Sequence, residues 1–125
     1  AGRIPCLWDS ILGFRHGPKS FVDAGTQVVV LTGYDTAKAH YERDLIEELR
    51  LQFPEARLTV VGPGGDIDLS HPDGPLWSVP NAVLFSQIAG CMWADKAGLD
   101  VDFPFKGQGT LTRVVADVKL YDVAP

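Results

Sequence analysis

The sequence predicts an α/β fold, a three-layer sandwich built on a parallel sheet, and two observations carry that expectation. Two apolar, β-branched runs, QVVVLTG at 27–33 and RLTVVG at 57–62, have the composition of strands buried on both faces. Between them Ala37, Tyr41, Leu45 and Leu49 recur at four-residue spacing with Ile46 beside them, while Glu42, Arg43, Glu47 and Glu48 take the wet side. Strand, helix and strand at these lengths form a βαβ unit, whose strands run parallel. With 125 residues the chain has room for one domain, spanning 1–125.

The other elements follow in order. IPCLW at 4–8 reads as a short strand with Pro5 near its start, and DSILGFRHGP after it reads as a loop punctuated by Gly13, Gly17 and Pro18. Pro18 suits the first turn of a short helix. Asp35 or Thr36 caps the helix between the two strands, and Pro54 ends it. PGGDIDLSHPDGP at 63–75 is a Gly, Pro and Asp-rich loop without periodicity. A helix begins at Asn81, with Val83, Leu84, Ile88, Cys91, Met92 and Trp93 wrapping most of its circumference. It is expected to be heavily buried or shared with a partner, and Gly98 stops it. VDFPFKGQG is irregular, and the tail TLTRVVADVKLYDV reads as a strand or extended arm.

Composition narrows the function. The chain is 46% hydrophobic and 22% charged with a formal net charge of −5, which argues against a nucleic-acid or membrane-surface binder. Cys6 and Cys91 are too few and too far apart for a disulfide framework or a zinc site, and read as reduced, mostly buried thiols. No run is long and apolar enough for a membrane span and the first residues lack a signal-peptide pattern, so a cytoplasmic protein is expected. The three histidines have no metal-ligand spacing and no cofactor motif is present, so neither a metal nor a cofactor is expected.

Within this acidic chain GFRHGPKSFV, at 13–22, gathers Arg15, His16 and Lys19. Imidazole titrates near neutrality and can both give and take a proton. Arg15 and Lys19 can hold a phosphate, the first as a fork and the second as a point charge. Gly17 lets backbone approach a ligand, and Pro18 stiffens the bend. The alternative is a surface loop with scattered basic residues. Asp9 is the one acid close in sequence, and a loop-capping role suits it better than catalysis. TGYD at 32–35 offers the Thr32 hydroxyl and helix N-terminal amides to an anion, or simply a cap and a turn. GPGGD at 62–66 matches no phosphate-loop pattern and reads as a plain flexible turn.

DSILGFRHGPKSFVDAGTQVVVLTG followed by YERDLIEELR resembles the second half of a double sugar-isomerase (SIS) domain protein. The closest subgroup is the tagatose-6-phosphate ketose/aldose isomerase type, also described as galactosamine-6-phosphate deaminase/isomerase. That subgroup carries a GTxNRVV element near its C-terminus, and here GTLTRVV (109–115) has Thr112 in place of the Asn. The HGP motif is shared with the isomerase half of glucosamine-6-phosphate synthase.

The resemblance implies a flavodoxin-like α/β fold lacking its first βα portion, with a sugar phosphate as ligand. It implies that His16 is the catalytic group that opens the sugar ring. Arg15, Gly17, Lys19, Thr32 and Arg113 are the candidate substrate-binding residues. The synthase's C-terminal Schiff-base lysine has no counterpart; Val114 and Val115 fill that region and Arg113 is the nearby cation. The serine-rich phosphate loop of SIS domains and the family's glutamate upstream of HGP are absent too. The expectation is therefore the C-terminal SIS half of a phosphosugar ketose/aldose isomerase or amino-sugar-phosphate deaminase, inactive alone. It would pair with copies of itself or with a complementary N-terminal SIS half. The alternative is a non-catalytic phosphosugar-binding or dimerisation module.

Overall fold

The computed structural model describes residues 4–70, 75–109, 119 and 121. The chain divides into two compact units, one of Pro5–Ser86 and one of Ala1–Ile4 with Gln87–Pro125. The first holds the sheet and the candidate site.

The predicted βαβ unit is present. Strand β1 (Gln27–Leu31) and strand β2 (Arg57–Val61) pair in parallel, in register from Gln27 opposite Arg57 to Leu31 opposite Val61. Helix α2 (Thr36–Gln52) connects them. Asp35 caps it by accepting a hydrogen bond from the Ala37 amide at 2.9 Å, so the helix N-terminus is already occupied by a carboxylate of the chain itself. The same bond, first among several contacts, holds the Asp35 carboxyl below the usual aspartate range. Replacing Asp35 with alanine should lower the thermal midpoint by a few degrees, read by circular dichroism at neutral pH. At the other end Phe53 closes the helix, its amide bonding the Leu49 carbonyl just before Pro54.

The apolar stripe of α2 settles onto the sheet. Leu45, Ile46 and Leu49 are buried with Val30 and Val60, and Ile11, Phe14, Val28, Phe53 and Leu58 pack against them. Ala37 and Tyr41, expected to extend the stripe, are exposed, so it narrows to the three residues facing the strands.

Two expectations at the N-terminus are corrected. Residues 4–10 form no strand: Pro5 offers no amide for a ladder, and the side chains of Leu7 and Trp8 lie exposed. DSILGFRHGP is not a loop throughout, because Ile11–His16 forms helix α1. Ser10 caps it, its hydroxyl accepting from the Gly13 amide at 3.0 Å, and Asp9 accepts from the Ser10 amide at 2.6 Å, a local capping role. A Cβ on Gly13 would meet the Asp9 carboxylate, so the capping side chain lies close over this glycine. Pro18 opens a short 3₁₀ turn, Pro18–Phe21, as expected.

Helix α3 spans Ser78–Lys96, starting earlier than Asn81 because Pro80 falls in its first turn, where no amide is needed. Gly98, at φ +67°, closes it, with the Leu99 amide reaching back to the Ala94 carbonyl. The heavy burial expected for this helix is not found. Ala94 is buried, whereas Val79, Val83, Leu84, Ile88 and Met92 are more than half exposed. Cys6 and Cys91 are likewise exposed rather than buried, the first in the irregular N-terminal segment and the second within α3. The tail expected as a strand falls, apart from Lys119 and Tyr121, outside the described residues. Among the described residues no helix is long and apolar enough to cross a membrane.

Candidate functional site

His16 is the last residue of α1, and the pattern of that helix determines where it points. Ile11, Phe14 and Arg15, at i, i+3 and i+4, form the inward side: the first two pack on the core and Arg15 is half-buried. Leu12 and His16, one turn apart, lie on the exposed side. Gly17 follows with φ −151° and ψ −68°, neither helical nor extended, and a Cβ placed on it would meet nothing within 4 Å. The bend after the imidazole is therefore open to an approaching molecule. Its carbonyl is held by the Ser20 amide at 3.0 Å and the Ser20 hydroxyl at 2.8 Å, which stiffens the turn.

The two cations flanking His16 converge on one carboxylate. Arg15 Nε lies 2.8 Å from Glu48 Oε2, an ion pair in which the N–H is not aligned for a hydrogen bond. Lys19 Nζ donates to Glu48 Oε1 and, at 3.2 Å, to Gln52 Oε1. Glu48 was expected on the wet side of α2 but is half-buried between these cations. The available signal was its place beside Leu49 on the edge of the apolar stripe, but sequence does not say that α1 covers that edge.

The hydrogen bond from Lys19 holds the Glu48 carboxyl below its ordinary value of 4.5; the charges of Lys19 and Arg15 add to this and partial desolvation opposes it. A carboxyl depressed in the folded state stabilises the fold above its unfolded value, and that stabilisation is lost as pH falls through the folded one. The gap in thermal midpoint between the wild type and Glu48→Gln should therefore be widest near neutrality and close below about pH 4. Asp23, Asp35 and Asp68 are lowered as well, so the gap between the two proteins, not the wild-type curve alone, reports Glu48.

A second feature lies at the carboxyl ends of β1 and β2. There an open cleft of about 550 Å³ is walled by Thr32, Glu42, Arg43, Arg50, Gly64 and Asp66, among others. Its rims are tied down locally. The Gly33 amide donates to Glu42 at 3.3 Å, and the Val60 amide donates to Asp66 Oδ2 at 2.8 Å. The segment expected as a plain flexible turn is a built bend: the Gly62 amide bonds Ile67, the Ile67 amide bonds Val60, and Ile67 bridges in parallel to Val61. Gly62, at φ +148°, packs directly against Thr32. Thr32, whose amide bonds the Val61 carbonyl at 2.9 Å, thus stands on the cleft wall. His16 is not among the residues lining this cleft, so the structure groups Arg15, His16, Gly17 and Lys19 at one place and Thr32 at another.

His40, read as solvent-facing, is exposed on α2 with its Nδ1 2.8 Å from Arg43 Nη2. Arg113 and His71 lie outside the described residues, as does nearly all of GTLTRVV. Among the described residues no cluster of His, Cys, Asp and Glu has the makings of a metal site.

A parallel βαβ unit preceded by an HGP bend that its crossing helix anchors is an α/β arrangement of the sugar-isomerase, flavodoxin-like kind. Comparison with known proteins identifies the relatives. The chain is 34% identical to the D-galactosamine-6-phosphate deaminase of Shewanella sp. (strain ANA-3), over 97% of its own length and 31% of that protein's. It is 33% identical to the D-galactosamine-6-phosphate deaminase of Escherichia coli and 32% to that of Escherichia coli O157:H7, each over 97% of this chain and 34% of the relative. The chain is similar to these proteins along nearly all of its own length, consistent with one half of a sugar-isomerase protein, and spans about a third of the length of the curated relatives it matches. No family model and no solved structure matches it.

Proposed function

We propose that this chain is the part of a phosphosugar ketose/aldose isomerase or amino-sugar-phosphate deaminase that supplies the ring-opening group. His16 is that group. As a base its imidazole takes the proton of the anomeric hydroxyl; the bond from the anomeric carbon to the ring oxygen breaks, its electron pair stays on that oxygen, and the imidazolium returns the proton there. The products are a free carbonyl, an aldehyde from the amino sugar or aldose and a ketone from the ketose, and a hydroxyl, the form in which a neighbouring carbon becomes acidic. The observation that carries this reading is the match along 97% of the chain to proteins named D-galactosamine-6-phosphate deaminase. An exposed imidazole beside an unobstructed glycine supports it.

Proton transfer between C1 and C2 calls for a positioned base such as a carboxylate, and the sugar-isomerase proteins that the chain resembles hold the phosphate on a serine-rich loop. Both would come from a complementary sugar-isomerase domain, with Thr32 and Arg113 contributing polar contacts from this one. A non-catalytic phosphosugar-binding or dimerisation module is the second reading, favoured by the separation of His16 from the cleft that holds Thr32.

The deciding experiment assays galactosamine 6-phosphate and tagatose 6-phosphate with the chain alone, and with the chain mixed with an N-terminal sugar-isomerase domain. Turnover in the mixture alone supports the first reading. Turnover by the lone chain overturns the need for a complement. Binding without turnover in either case supports the module.

A further inference from the structure

We infer that Glu48 is the positioning residue of His16, and that Arg15 and Lys19 serve this anchor rather than the substrate's phosphate. The inference rests on the reading of His16 as the ring-opening group.

His16 has a cation immediately before it and another three residues after it, so both sides of the bend carry a charge that must go somewhere. Both go to α2. One oxygen of Glu48 faces Arg15 at 2.8 Å and the other accepts from Lys19, while Gln52, one turn further along α2, takes a second bond from Lys19 at 3.2 Å. A carboxylate that uses both oxygens on two cations from either side of a bend fixes the position and rotation of that bend against the helix. The helix is itself fixed, since Leu45 and Leu49 on either side of Glu48 are buried in the core. The chain of restraint therefore runs from the sheet through α2 and Glu48 to the turn that presents the imidazole.

The same pairing argues against phosphate binding by these cations. A phosphate would have to displace Glu48 from both, leaving a half-buried carboxylate facing a dianion. The two roles predict opposite kinetics. If the cations are phosphate ligands, removing the Glu48 charge frees them and KM falls. If Glu48 positions His16, its loss lets the imidazole wander and kcat falls with KM nearly unchanged.

The test compares wild type, Glu48→Gln and Glu48→Asp in the mixed assay above and, separately, by amide hydrogen exchange on the full chain. The exchange probes are the amides of Ser20 and Val22, which close the turn onto Gly17 and Lys19. The expected result for Glu48→Gln is roughly ten-fold faster exchange at those amides and a kcat lowered about ten-fold at little-changed KM, with partial recovery in Glu48→Asp. Unchanged exchange overturns the anchor. Faster exchange with unaltered kcat, or with a lowered KM, overturns the positioning role. If the wild-type mixture shows no turnover the catalytic reading of His16 fails, and the exchange measurement still decides whether Glu48 holds the bend.

Discussion

Gly62→Ala will destabilise the Pro5–Ser86 unit by about 3 kcal/mol, much more than the same change at Gly64 two residues on. Both glycines have positive φ, +148° and +68°. The second value lies in the left-handed region that an L-residue enters at moderate cost, and a Cβ on Gly64 would meet nothing within 4 Å. The first lies outside that region, and a Cβ on Gly62 would stand 2.5 Å from the Thr32 carbonyl oxygen and closer still to its hydroxyl. That carbonyl belongs to backbone whose amide bonds Val61, so it has no side-chain rotamer through which to yield. The strain therefore passes into the pairing at the carboxyl ends of β1 and β2 and into the wall of the cleft. Denaturant unfolding of the two variants measures the difference. A Gly62→Ala protein no less stable than Gly64→Ala would show that the two strand ends do not approach as closely as described.

The contrast between these glycines bears on what the sequence reveals. The βαβ unit was legible because its signals are local and repeated: two β-branched runs, a four-residue apolar spacing, an Asp cap and a terminating Pro each report on a few neighbouring residues. Helix α1 was missed because Gly13, Gly17 and Pro18 look like loop punctuation and outweigh the local cap of Ser10 and Asp9, while its packing through Ile11 and Phe14 depends on tertiary contact with the core. The missing N-terminal strand is the converse case: IPCLW has a strand's composition, but Leu7 and Trp8 lie exposed and Pro5 has no amide to give a ladder.

Much the same holds for the site. His16 stood out by composition, whereas Glu48 is one carboxylate among several on an acidic helix. Only the fold shows that it receives both Arg15 and Lys19. The cleft that includes Thr32 needs the approach of two segments far apart in sequence, and Gly62, which permits that approach, reads in isolation as one more turn residue.

The largest functional effect is expected at His16 itself. In the mixture with a complementary sugar-isomerase domain, His16→Ala should lower kcat on a cyclic hexosamine or hexose 6-phosphate by about 10²–10⁴-fold, the range over which a positioned acid–base group acts. Its side chain is exposed, so the thermal midpoint should stay within a degree or two of wild type and the loss will not trace to unfolding. A change of substrate then separates ring opening from later steps. A sugar phosphate that cannot cyclise enters the reaction already open, so His16→Ala should cost it far less than it costs the cyclic substrate. If both substrates lose activity equally, His16 serves the proton transfer between carbons or the binding of phosphate instead. If neither loses activity, the imidazole is a surface residue of the bend and the catalytic reading falls. Glu48→Gln provides the internal control. A residue that acts only by aiming His16 should add little once the imidazole is gone, so the double variant should be nearly as active as His16→Ala alone.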